Sequence, residues 1–116
     1  MMVASQKSGS MQSDPDKELF LKLSRIKDFA EGVLRNDTLE DWSLAKDFGE
    51  FMIRIAPQDI LGHALVARAC RHLGDRRRAA EEIERCQTLF STGTLTTMER
   101  EIFGRFLDQE TERLGS

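Results

Sequence analysis

Residues 59–90 read DILGHALVARACRHLGDRRRAAEEIERCQTLF. Ile60, Ala64, Ala67, Cys70 and Leu73 fall three or four positions apart, the spacing that stacks side chains on one face of an α-helix. Asp59 stands just before them, where a short acceptor side chain caps the free N–H groups of a first turn. Gly74 follows the last apolar residue, and glycine reaches the left-handed conformation that ends a helix at least cost. Asp75 then caps a second stripe of Ala79, Ala80, Ile83, Cys86, Leu89 and Phe90. Two helices over 59–73 and 76–90, joined by so short a turn, form an antiparallel hairpin.

The same reading extends in both directions. Upstream, Asp14-Pro15 opens a helix over 15–35 whose stripe is Leu19, Leu23, Ile26, Ala30 and Val33, widened by Phe29 and Leu34. Asn36-Asp37-Thr38 breaks it, and Thr38 with Asp41 resembles a capping box for a second helix over 39–55. That helix carries Trp42, Ala45, Phe48, Met52 and Ile55, and Pro57 stops it. Downstream, Ser91-Thr92-Gly93-Thr94 reads as a loop. Thr96 and Glu99 then make a capping box for a helix over 97–114 bearing Ile102, Phe103, Phe106, Leu107 and Leu114. Residues 1–13, with four serines and no periodicity, are expected to be a disordered tail outside a single domain of residues 14–116. No run alternates apolar and polar residues for long, tyrosine is absent, and β-branched residues are sparse. The expected class is all-α: two antiparallel hairpins and a C-terminal helix.

The two hairpins echo each other. His63, Val66, Ala67 and Cys70, the turn Leu73-Gly74-Asp75, then Ala79, Cys86 and Leu89 together resemble a tetratricopeptide repeat, a unit of about 34 residues. Ile26, Phe29, Ala30 and Val33, then Glu40-Asp41-Trp42, Ala45, Ile55 and Pro57, resemble a preceding copy. Ser91 stands where the family prefers proline, Met52 replaces a small residue, and the loop around Asn36 is longer than usual. The last helix, with Phe103-Gly104 and Leu107, resembles the helix that caps such arrays. The resemblance implies a stack of α-hairpins with a concave groove lined by first helices, here by Leu61, Ala64, Leu65, Arg68, Arg71 and His72. The family's carboxylate clamp needs paired asparagines, and Asn36 is the only one in the sequence.

Composition narrows the function classes. With 17 basic and 20 acidic residues the net charge is −3, which argues against a surface that wraps nucleic acid as a whole. The longest apolar runs fall far short of the ~20 residues that span a bilayer, and the first dozen residues lack the apolar centre of a secretory signal. Two cysteines do not make a disulfide scaffold, so a reducing, cytoplasmic setting is expected. His63 reads as a partly buried packing residue and His72 as an exposed one, neither with Cys, Asp or Glu at metal-ligand spacing on its helical face. Cys70 and Cys86 sit among apolar residues as small hydrophobes with no obvious base nearby. Gly32, Gly49 and Gly104 stand inside helices, where close helix–helix approach would offset their ~1 kcal/mol cost relative to alanine. No metal, cofactor or catalytic set is expected.

One feature breaks a local rule. Arg76, Arg77 and Arg78 occupy the first turn of a helix, the positive end of its dipole. From Arg68 to Arg78 there are five arginines against Asp75 alone. The expectation is a non-catalytic protein- or peptide-binding module, a scaffold, adaptor or chaperone component. An acidic partner segment would lie in the groove between the first and third helices, selected by Arg68, Arg71, His72, Arg76, Arg77 and Arg78. The alternative is nucleic-acid binding through the same basic patch, opposed by Asp75 and the glutamates that follow. Phe20 and Phe106 mark a candidate face for a homodimer.

Overall fold

The computed structural model describes residues 15–35 and 41–115. They form five helices and no strand: α1 Pro15–Arg35, α2 Trp42–Ile55, α3 Ile60–Leu73, α4 Arg76–Thr92 and α5 Thr97–Leu114. The tail reading, the Asp14 cap, the Asn36 loop, Thr38 and the Phe20 side chain lie outside the described residues.

Local chemistry sets most of the ends. The Asp59 carboxylate accepts from the Leu61 amide at 3.0 Å, and the Asp75 carboxylate accepts from the Arg78 amide at 3.1 Å. Gly74 turns between them at φ +89°, the left-handed region that a side chain disfavours. Thr96 and Glu99 form a reciprocal capping box. Two sequence expectations are corrected. Asp41 itself caps α2, its carboxylate accepting from Leu44 at 3.0 Å, where Thr38 was the expected cap. Ser91 and Thr92 are helical and not loop: the Thr92 hydroxyl donates to the Thr88 carbonyl at 2.8 Å, and α4 ends only at Gly93.

The centre of the molecule is α3. It packs along α2 and α4 and also meets α1 and α5. Every residue from Ile60 to Cys70 is buried. α2 runs antiparallel to it, since Trp42 at one end meets His72 while Gly49 lies against Gly62 and Val66. At this crossing a Cβ on Gly49 would stand 2.5 Å from the Val66 Cγ2 and 3.1 Å from the Gly62 carbonyl, so glycine is what lets the backbones approach. Gly104 makes only an ordinary contact with Phe90, and Gly32 faces open space, so the expected close approach is absent at Gly32. Around α3, the Ala30, Val33, Met52, Leu65, Ile83, Leu89, Phe103 and Phe106 side chains close one core.

Candidate functional site

The residues singled out in sequence separate into three environments. Leu61, Ala64, Leu65 and Arg68 are buried, the last three completely, and do not line an open groove. The reason is that Arg68 draws α1 and α5 over this face of α3. Its Nη1 donates to the Leu34 carbonyl at 2.7 Å and to Val33 at 3.4 Å, satisfying the last turn of α1. Its Nε donates to Glu110 Oε2 at 2.8 Å, and its Nη2 to Gln109 Oε1 at 3.0 Å, both on α5. The guanidinium also lies 4.9 Å from the centre of the Phe106 ring. Phe106 is thereby buried beneath it, which removes it from the exposed association face expected for a dimer.

Arg71 joins the same cluster. It donates to Glu110 through Nε at 2.5 Å and Nη2 at 3.0 Å. Glu110 is fully buried and takes a third cation, Arg113, at 3.7 Å. A buried carboxylate is retained only when paired and hydrogen-bonded, and this one is saturated. His72 is exposed, stacked on Trp42 with ring centroids 3.9 Å apart and planes 4° from parallel.

The arginines of the first turn of α4 are also engaged. Arg78 donates to Glu50 on α2 at 2.8 Å and to Glu82 at 2.9 Å. Glu50 first, then Glu82, holds its guanidinium more firmly charged than usual, against the opposing pull of burial. Arg77 lies 3.6 Å from Glu81, and Arg76 donates to the Leu114 carbonyl at the end of α5. Arg68, Arg71 and Arg78 are therefore met by carboxylates distant in sequence and act as struts between helices, whereas Arg77 is exposed beside Glu81 on its own helix and Arg76 meets a backbone carbonyl.

Glu82 also holds His63, whose surroundings sequence reasoning missed. His63 Nε2–H donates to the Pro57 carbonyl at 2.8 Å, and Nδ1–H donates to Glu82 Oε1 at 2.7 Å. A carbonyl and a carboxylate both accept, so the two bonds together favour a proton on each ring nitrogen, the imidazolium form. Burial pulls its pKa down, but the bonds to Glu82 and Pro57 outweigh that and the net shift is upward. Glu82 is pushed up by burial and pulled down further by His63 and Arg78, ending below its ordinary range. The pairing joins residues 19 positions apart on adjacent helices, so no local motif announces it.

Little else offers chemistry. Burial pushes both the Cys70 and the Cys86 thiols up, which keeps them protonated and un-nucleophilic. Among the described residues no group of three or more His, Cys, Asp or Glu is placed to hold a metal ion, and no helix is long and apolar enough to cross a membrane. Two depressions on the surface of the described residues are open to a ligand. A trough of about 370 Å³ runs between α4 and α5, with Ala80, Ile83 and Leu114 along it, Gln87 and Thr111 at its sides, and Glu81 and Glu84 on its rim. A smaller cleft lies between α1 and α5. The chain matches no family model, no curated protein and no solved structure.

Proposed function

We propose that the protein is a non-catalytic module that binds a segment of another protein, an adaptor or scaffold built from tetratricopeptide-like hairpins. One observation carries this reading: the α4–α5 trough leaves an apolar floor open to solvent between two helices that otherwise pack. Grooves of this kind bind an extended or helical segment by burying its apolar side chains. What supports binding is that, among the described residues, the charged side chains brought together by the fold are bound to one another and the thiols are buried.

The preference at this surface differs from the one the arginine run suggests. Glu81 and Glu84 border the trough, so it suits a segment with an aliphatic residue flanked by lysine or arginine. Ala80 is exposed on the trough wall, where a long side chain fills the space without entering the core. The test compares proteins retained from native lysate by the wild-type chain and by Ala80→Arg, with folding checked by circular dichroism. A subset of partners lost with Ala80→Arg is the expected result, and an identical set from both chains would sink the proposal.

A further inference from the structure

The cleft between the end of α1 and α5 has a different character. It measures about 140 Å³ and is lined by Leu34, Arg35, Ile102, Arg105, Phe106 and Gln109. Leu34 and Phe106 are buried beneath it, and the half-buried Ile102 is its accessible apolar residue. The two arginines that line it, Arg35 and Arg105, are exposed. Glu31 and Glu101 lie four residues before them, the spacing at which a helix pairs opposite charges. Neither pair comes within ion-pair distance, and among the described residues no other carboxylate takes either guanidinium.

Arg35 has part of its explanation in the helix, because a cation in the last turn answers the negative end of the α1 dipole. Arg105 is in the middle of α5 and has no such use. Gln109 adds to the imbalance. Its Oε1 accepts from Arg68, which leaves its amide N–H groups as the free polar atoms at the cleft wall. The side chains around this cleft thus offer donors and positive charge beside one accessible apolar residue, Ile102, in a chain of net charge −3.

We propose that this cleft binds an acidic segment of another protein, seating one apolar side chain against the half-buried Ile102 with a neighbouring carboxylate held by Arg35 and Arg105. Carboxylates suit guanidinium forks, which can hold them by two parallel hydrogen bonds. A nucleic-acid strand fits less well: two guanidiniums meet few phosphates, and no lining residue offers an exposed aromatic ring on which a base could stack. The site is separate from the α4–α5 trough and does not depend on that trough's function.

The experiment is a titration of the ¹⁵N-labelled full chain followed through its backbone amide signals. The probes are the blocked pentapeptide Asp-Glu-Phe-Asp-Glu, its counterpart Lys-Lys-Phe-Lys-Lys, sodium phosphate and an oligothymidylate. Saturable shifts confined to residues 102–109 and the end of α1, with the acidic peptide alone, are the expected result. Arg35→Glu combined with Arg105→Glu weakens that binding by about tenfold or more, a change typical of reversing charges that hold a partner. Arg105→Gln has a smaller effect in the same direction, and both positions are exposed, so the spectra stay dispersed. Equal shifts from the lysine peptide, from phosphate alone or from the oligonucleotide would overturn the assignment, as would undiminished binding in the doubly reversed chain.

Discussion

Glu110 shows how much of this molecule rests on single residues. Its carboxylate is fully buried and accepts from Arg68 and Arg71. Removing one partner of a buried pair strands the other in low dielectric, at a cost of about 3–5 kcal/mol. Glu110→Ala is expected to lower the unfolding free energy by that order, as read from a urea midpoint. Replacing both partners, Arg68→Met with Glu110→Leu, should cost less than the sum of the single changes, because no charge is left uncompensated.

His63 and Glu82 make a pH prediction with two signs. The His63 pKa is raised, so its contribution is fully present below the ordinary histidine value of 6.5 and is lost as pH rises through the folded value. The Glu82 pKa is lowered, so its contribution is present above the ordinary value of 4.5 and is lost as pH falls through the folded value. Thermal midpoints measured from pH 4 to 9 should show this pair contributing most between those two limits. His63→Gln should flatten the fall on the alkaline side, and an unchanged slope there would contradict a buried imidazolium.

Among the elements, the α2–α3 contact supplies a comparison within one residue type. At Gly49 a methyl group collides with Val66 and with the backbone of α3, whereas at Gly32 nothing lies within 4 Å. Alanine gains up to about 1 kcal/mol of helix propensity at either place, but overpacking a closed interface typically costs 1–3 kcal/mol. Gly32→Ala should therefore raise the melting temperature and Gly49→Ala lower it, a difference in sign that differential scanning calorimetry will read directly. In the sequence both are simply isolated glycines inside helical stripes.

Helix ends were legible because their chemistry is local. Asp59, Gly74, Asp75, Thr96 and Glu99 each act within a few residues of themselves, and each does what its position predicts. The failures have equally local causes. Thr88 and Thr92 bond back to carbonyls one turn earlier, so hydroxyls that composition reads as loop-forming are accommodated inside α4 as it runs past Ser91.

Across the whole molecule, α3 is wrapped by the other four helices. Its amides open to solvent only when those neighbours separate, so hydrogen exchange should be slowest there, above all over residues 63–70. Measured by mass spectrometry, faster exchange in α3 than in α4 would mean that the hairpins open around it independently.

Apolar spacing and caps are properties of the chain within a turn or two of helix, and the all-α class with its helices could be read from them before any packing was considered. The fate of the arginines could not. Arg68, Arg71 and Arg78 look like one basic patch along the chain, yet Glu110 and Glu50 reach them from 42, 39 and 28 residues away. Opposite charges find each other across helices only once the helices have been placed. That placement buried the expected groove, and it left Arg35 and Arg105, which no run in the sequence marked, beside a cleft where no carboxylate among the described residues pairs with them.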